Sequence, residues 1–288
     1  MNENTNLFKG RVLIIALDGW TDAAAGATAS AGYIKDKLNC TLLETIDDPE
    51  YFDYLRQRPI ITLDEHGDRE FIWPSIELWG PNRSVSASSN LELFLLIGQE
   101  PALKWPYLRD EIREIVESYD ITSVIMLGSI PAEAPHNRPI KIAKNSQTNS
   151  VRNAYGIERS NYDGRSGFLS VLGDALEKAG LPTIAIWAQV PHYVASMPSP
   201  KAALALVTEL EIFLGFTVDH TEISDAAFEW ERSVDDFIEG DEDLKNYIEG
   251  LEKARDESEA EEMNTDALAK EFERFLRQNE TDEKKDES

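Results

Sequence analysis

With 288 residues, the chain is long enough for one large domain or two smaller ones with a sizeable core. It carries 54 acidic and 28 basic residues, and a net charge of −26 excludes nucleic acid and anionic membrane surfaces as favoured partners. The single cysteine, Cys40, allows no intrachain disulfide and the four histidines show no metal-ligand spacing, so we expect a cytoplasmic protein without metal or other cofactor.

The chain opens with the pattern strand, helix, strand. Residues 11–17 form an apolar run that is typical of a buried strand. Residues 22–38, with Thr21 as N-cap, predict a helix rich in small side chains, and residues 40–46 predict the next strand. This order is the signature of a parallel strand pair.

The middle of the chain predicts shorter strands. Residues 59–64 and 69–73 flank a turn signal at 65–68 and therefore predict an antiparallel hairpin. The other predicted elements are strands at 75–79 and 91–97, and an amphipathic helix at 107–119.

Two later strands each run into a proline followed by a histidine. Residues 121–130 lead into Pro131 and then His136, and residues 183–190 lead into Pro191-His192. Since proline has no N–H for the ladder, we expect each strand to stop there. Further helices are predicted at 167–179 and at 200–214.

The last part of the chain is helical and acidic. Residues 221–288 contain 25 acidic and 9 basic residues, and their apolar residues recur with a helical period. We expect an α/β domain at 1–220 and a helical extension at 221–288, with 279–288 disordered. The fold prediction is therefore a mixed, largely parallel sheet flanked by helices, followed by this acidic extension.

Four polar residues follow predicted strands: Asp18, Glu100, His136 and His192. Ligands bind at the carboxyl ends of the strands in open α/β sheets. We therefore expect the four to lie along one edge, where Asp18 and Glu100 would act as acid–base groups and the histidines as orienting groups. Polar strand-end loops are equally typical of plain solvent exposure, and the two Pro-His loops of rigid subunit contacts.

Three arginines and one serine are candidate ligand or interface residues. Arg56 and Arg58 form a small basic patch on an acidic protein, where they would grip a carboxylate or phosphate or pair with acids across a subunit contact. Arg165 and Ser166 precede a predicted helix, and Ser166 is a natural N-cap there. A helix start of this kind binds an anion or is simply capped.

Several segments resemble one known family when they are taken together and in order. They are Asp18-Gly-Trp-Thr-Asp-Ala-Ala-Ala-Gly26, Leu96-Ile-Gly-Gln-Glu-Pro101, Gly128-Ser-Ile-Pro-Ala-Glu-Ala-Pro-His136, Gly164-Arg-Ser-Gly167 and Val190-Pro-His-Tyr193. They resemble the proteasome assembly chaperone family of the second-subunit type, and most closely its actinobacterial branch. The likeness extends into the tail at residues 237–244.

The resemblance implies a fold similar to those of purine nucleoside phosphorylases and hydrolases. It also implies self-association, with a trimer as the first expectation. Docking to the proteasome in this family commonly uses a C-terminal hydrophobic–Tyr–any-residue tail, and the printed sequence, which ends in Lys-Asp-Glu-Ser288, departs from that pattern. The family has no agreed catalytic residues.

Two hypotheses of function follow. The first is a non-enzymatic, oligomeric binding or scaffold protein whose partners are further copies of itself and an unidentified protein. The alternative is a small-molecule hydrolase or nucleoside phosphorylase-like enzyme with a site at the strand ends. We prefer the first because no motif fixes the geometry of an activated nucleophile or an acid–base pair.

Overall fold

The structure is a computed structural model that describes residues 6–82 and 91–260. This part of the chain contains nine strands and seven α-helices. The strands are β1 (Gly10–Asp18), β2 (Thr41–Ile46), β3 (Ile60–Leu63), β4 (Arg69–Ile72), β5 (Ile76–Gly80), β6 (Leu91–Gln99), β7 (Ser123–Ala132), β8 (Ile142–Asn145) and β9 (Thr183–Pro191). The helices are α1 (Gly26–Lys37), α2 (Trp105–Ser118), α3 (Asn149–Tyr155), α4 (Phe168–Lys178), α5 (Pro200–Leu214), α6 (Thr221–Ile238) and α7 (242–260).

Seven strands form one mixed, mostly parallel sheet in the order β2-β5-β6-β1-β7-β9-β8. The four central strands, β6, β1, β7 and β9, are parallel. The outer strands pair antiparallel to their neighbours. The predicted α/β fold with a largely parallel sheet is confirmed.

The central strands of the sheet are buried on both faces. Along β1, Val12 and Ile14 point to one core cluster and Leu13 and Ile15 point to the other, as the two-residue period of a strand requires. Helices α1 and α5 pack on the first face, and α2 and α4 pack on the second. This three-layer arrangement leaves the ends of the parallel strands as the free edge of the domain.

The predicted parallel pairing of the first two strands is wrong. β2 pairs antiparallel with β5, so β5 and β6 separate β2 from β1. The two strands run in the same direction but are not neighbours. Strand pairing depends on segments far apart in sequence, which the local order of elements does not reveal.

Helix α1 begins later than predicted. Residues Ala23–Ala25 form a 3-10 turn in which Ala24 and Ala25 have positive φ angles of 55° and 52°. Thr21 is therefore not an N-cap. The carboxylate of Asp22 accepts hydrogen bonds from the amides of Ala27 and Thr28 instead, and so takes over the capping of α1.

Proline ends β9 at Pro191 as expected, but β7 continues past Pro131 to Ala132. Pro131 pairs with Val190, and Ala132 pairs with Pro191. The pairing of β1 with β7 has already ended at Met126, so Pro131 lies beyond the part of β7 that has a strand on each side. A proline is tolerated there because no second ladder requires its N–H.

The helices of the acidic segment pack on the α/β core as far as they are described. Trp230, Val234 and Ile238 of α6 and Ile248 of α7 are buried together with Val194. Helix α7 continues up to residue 260, and the end at 279–288 that we expected to be disordered lies outside the described residues. None of the described helices has the length and apolar character needed to cross a membrane.

Candidate functional site

The carboxyl ends of the parallel strands define one edge of the sheet. Asp18 is paired with Gln99, and Ala132 is paired with Pro191. Asp18, Glu100 and the two Pro-His loops therefore all follow parallel strands at the same edge, as the sequence predicted. Whether they act as a site is a separate question, because the structure divides them into two groups with different surroundings.

Glu100 holds the loops of this edge together. One oxygen of its carboxylate, Oε2, accepts a hydrogen bond from the backbone N–H of Trp20 at 3.1 Å, and Oε1 accepts one from Phe168 at 2.6 Å. Its own backbone N–H donates to the carbonyl of Asp18 at 2.8 Å. Gly19 has a φ of +148°, and a Cβ there would lie 2.8 Å from the Cβ of Glu100, so the close approach requires glycine.

Beside Glu100 lies a cleft of about 800 Å³, which we name the arginine cleft. The loop after β1, the loop after β6 and the segment 53–58 form its walls, and they bring Asp18, Gln99, Arg56 and Arg58 to one cavity. Asp18, Arg56 and Arg58 are solvent-exposed. The volume lies in the usual range of small-molecule sites, roughly 300–1,000 Å³.

His136 belongs to the second group and is buried, with 2% of its surface exposed. Its Nδ1 lies 2.9 Å from the hydroxyl of Tyr193, and its Nε2 lies 2.9 Å from a carboxylate oxygen of Asp235 in α6. Its carbonyl accepts a hydrogen bond from Lys201, which also pairs with Glu231. Both ring nitrogens are therefore occupied, and the residue joins the loop after β7 to α6.

His192 is exposed and lies in the same group. Its Nδ1 is 3.3 Å from the carbonyl of Ala132, and its ring meets the rings of Tyr193 and Tyr247 edge to face. Burial raises the pKa of Tyr193 to about 12, so this phenol stays protonated at neutral pH. The group is an aromatic and hydrogen-bonded contact between the strand-end loops and the acidic helices.

Arg165 and Ser166 do not form the expected helix start. The N-cap of α4 is Gly167. No side chain fits at this position, because a Cβ would lie 2.6 Å from Oε1 of Glu100. The carboxylate of Glu100, and not the hydroxyl of Ser166, accepts the hydrogen bond from the first free N–H of α4. Arg165 and Ser166 are exposed beside this helix start.

A buried polar cluster that no sequence motif indicated lies at the end of β1. Asp22 and Ser129 are both buried, and the hydroxyl of Ser129 donates to the carbonyl of Ala23 at 2.7 Å and lies 3.1 Å from the carboxylate of Asp22. Burial raises the pKa of the Asp22 carboxyl, opposed by hydrogen bonds from Thr28 and Ala27. All these groups satisfy one another around α1, which indicates a structural role.

The hairpin β3–β4, which we call the hairpin arm, is the other surface of note. Five of its large apolar side chains are between 50% and 68% exposed: Ile60, Ile61, Leu63, Phe71 and Ile72. The register places Ile61, Leu63 and Phe71 on one face and Ile60 and Ile72 on the other. Neither strand pairs with a third strand within the described residues.

Comparison with known proteins places these features in a family context. The model of the PAC2 family matches residues 16–238. A PAC2 family protein from Streptomyces avermitilis is 28% identical, with a TM-score of 0.75 over 83% of this chain and 99% of that chain. Among curated proteins, none matches the chain significantly.

Two further solved structures are similar to the chain. A Mycobacterium tuberculosis proteasome-assembly chaperone homologue is 29% identical, with a TM-score of 0.72 over 82% of this chain and 99% of that chain. The structure of PbaB from Pyrococcus furiosus, described as an archaeal proteasome activator, is 14% identical, with a TM-score of 0.64 over 81% of this chain and 95% of that chain. At that identity the archaeal likeness extends to the fold alone.

Proposed function

The chain belongs to the PAC2 family, and from this membership we propose that it is a non-enzymatic, homo-oligomeric binding protein that contacts other copies of itself and a protein partner. The single observation that carries the proposal is the hairpin arm. It presents large apolar side chains on both faces, and a two-stranded hairpin has little stability by itself in water. A second copy of the chain is the simplest cover for it.

The exposed area of the arm is more than half of what such a contact needs. Five large side chains, each about half exposed or more, present roughly 100 Å² apiece. Their sum of roughly 500 Å² compares with about 800 Å² per partner in a standard interface. Aromatic neighbours of the arm extend the same surface, such as Trp73, which is 51% exposed and meets the ring of Tyr54 edge to face.

Charge also favours this surface for self-association. The chain as a whole carries 54 acidic and 28 basic residues, so most faces of two copies repel each other. The strands β3 and β4 carry one arginine and one carboxylate, Arg69 and Glu70, and the other three carboxylates of the arm lie between the strands at 64–68. The arm is therefore a face on which apolar burial meets little opposing repulsion. A trimer stays our first expectation for the number of copies.

The alternative of a hydrolase or nucleoside phosphorylase-like enzyme has less support. The carboxylate of Glu100 accepts two backbone N–H groups, and both ring nitrogens of His136 have partners in the fold. Groups committed in this way are poorly placed to move protons for a substrate. Asp18 and His192 are the two of the four that stay exposed, and they lie in separate groups.

Self-association is tested by the mass of the protein in solution. Sedimentation velocity of the full chain at micromolar concentration should give a multiple of the chain mass of 32.4 kDa. The double variant Ile61→Asp/Phe71→Asp should sediment as a single chain, because each carboxylate would have to be buried in the contact. A wild-type mass of one chain, or a double variant with the wild-type mass, would contradict the proposal.

A matched control separates the arm from exposed apolar residues in general. Phe228 and Phe237 of α6 are 66% and 64% exposed. The variant Phe228→Asp/Phe237→Asp makes the same kind of change elsewhere and should keep the wild-type mass. A screen for hydrolysis of esters and phosphorolysis of nucleosides should give no turnover, and turnover abolished by both Asp18→Ala and His192→Ala would favour the enzyme alternative.

A further inference from the structure

The walls of the arginine cleft are held in place by hydrogen bonds. The side chain of Gln57 donates to the carbonyl of Glu100 at 2.7 Å, and its oxygen accepts from the backbone N–H of Asp53 at 3.1 Å. The indole N–H of Trp105 donates to the carbonyl of Pro101 at 2.7 Å. These contacts fix the segment 53–58 against the loop after β6, so the cavity is formed before any ligand binds.

Two arginine side chains in the cleft form a weak ion pair or none. The carboxylate of Asp53 is the nearest acid to Arg56, and their atoms lie 3.9 Å apart, which is beyond hydrogen-bond distance. Arg58 forms no ion pair with any residue in the described part of the chain, and it is exposed. Their guanidinium groups are therefore free to bind a carboxylate, for which the planar fork is well suited.

The cleft also offers an exposed acceptor. The carboxylate of Asp18 is exposed and accepts no side-chain hydrogen bond within the described residues, in contrast with that of Glu100. The side-chain oxygen of Gln99 has no donor within the described residues, but it is closed off from solvent, so Asp18 is the acceptor that a ligand N–H can reach.

The overall charge restricts the kind of ligand. A net charge of −26 opposes the approach of a strongly anionic molecule but acts little on one without net charge. We propose that the arginine cleft binds a small zwitterion of the amino-acid type, either a free amino acid or a short peptide. Its carboxylate would lie at Arg56 and Arg58 and its ammonium group at Asp18, with apolar contact from Leu103 and Trp105, which line the same cavity.

The proposal goes beyond self-association and does not depend on it. The test is isothermal titration of the full chain with leucine and with the dipeptide alanyl-leucine. We expect saturable binding of at least one of them, weakened about tenfold or more in Arg56→Ala/Arg58→Ala and in Asp18→Asn, since each charge-assisted bond contributes that much. Arg113→Ala changes an exposed arginine of α2 outside the cleft and should bind as the wild type does.

Capped ligands assign the two ends. N-acetylated alanyl-leucine should bind about tenfold more weakly to the wild type and should not be weakened further by Asp18→Asn. Equal binding of the capped and free dipeptides overturns the proposal. So does the absence of saturation by leucine and by the dipeptide at ligand concentrations up to about 20 mM, since weaker binding is not assigned to a specific site. Tighter binding of inorganic phosphate than of the dipeptide also overturns it.

Sedimentation of the same variants separates this proposal from that of self-association. Arg56→Ala/Arg58→Ala should keep the wild-type mass. Loss of the oligomer in this variant would assign the arginines to the subunit contact and would overturn the ligand assignment. Loss of self-association in Ile61→Asp/Phe71→Asp alone should leave ligand binding in the cleft unchanged.

Discussion

Replacing Trp230 tests how α6 is held on the α/β core. The side chain is 9% exposed and belongs to a cluster with Val194, Val234 and Ile248. Trp230→Ala removes a large buried side chain, and changes of this kind lower the free energy of unfolding by about 3–5 kcal/mol. Because the loop bearing Val194 loses its cover, we expect the acidic helices to loosen together with it.

Trp230→Phe should cost much less. The indole N–H of Trp230 is buried and has no acceptor within the described residues. Removing a buried, unpaired donor recovers about 1–3 kcal/mol, and this gain offsets much of the volume that the smaller ring leaves empty. We therefore expect a net loss of about 1 kcal/mol or less.

Urea unfolding followed by circular dichroism measures both changes. Phe228→Ala, in the same helix but 66% exposed, is the control and should stay within about 0.5 kcal/mol of the wild type. A Trp230→Ala variant as stable as this control would show that the packing of α6 contributes little. A Trp230→Phe variant as unstable as Trp230→Ala would show that the indole N–H has a partner after all.

Three further outcomes are expected. Asp22→Ala should lower the free energy of unfolding by about 2–4 kcal/mol in urea titrations, because several buried donors lose their acceptor together; no change would contradict the capping role. The hydrogen bond from Arg138 lowers the pKa of Asp256 below its ordinary value of 3.8, so this pair stabilises the fold above that pH and less as the pH falls below it; the stability difference between the wild type and Arg138→Ala should shrink in acid, and a constant difference would refute this. Truncation after Gln278 should leave the melting temperature nearly unchanged and truncation before Thr221 should lower it sharply, while the reverse order would refute the proposed division of the chain at 220.

Much of the fold was predictable because the start and end of its helices and hairpins depend on residues that are adjacent in sequence. The helix predicted at 200–214 matches α5 residue for residue, since Ser199 caps its start and Gly215 ends it. The hairpin predicted around 65–68 is also present, because its turn residues and flanking apolar runs are adjacent in sequence. The family resemblance, which rested on several short motifs in order, is confirmed by the match over residues 16–238.

The errors concern contacts between distant segments. The left-handed Ala24 and Ala25 delay α1, and no local rule predicts two such residues in an alanine run. Glu100 caps α4 from a loop 68 residues away, whereas the local sequence predicted Ser166 as the cap. His136 was predicted as a polar strand-end residue, yet α6 covers it and Asp235 pairs with it.

The site was predictable only as a location. Four strand-end residues at one edge follow from parallel strands, but the structural contacts of Glu100 and His136 depend on the backbone N–H of Phe168 in α4 and on Asp235 in α6. The exposure of the hairpin arm was also hidden, because an apolar run predicts a buried strand unless its neighbours are known.

Photocross-linking at the hairpin arm tests the central claim most directly. A photoreactive phenylalanine analogue replaces Phe71 in the full chain, and in a second preparation it replaces Phe228, which is exposed on α6. We predict a covalent dimer band from position 71 and none from position 228, with the cross-linked peptide mapped by mass spectrometry to a second copy of the chain. No cross-link from position 71, or equal cross-linking from both positions, would contradict the hairpin arm as the contact between copies.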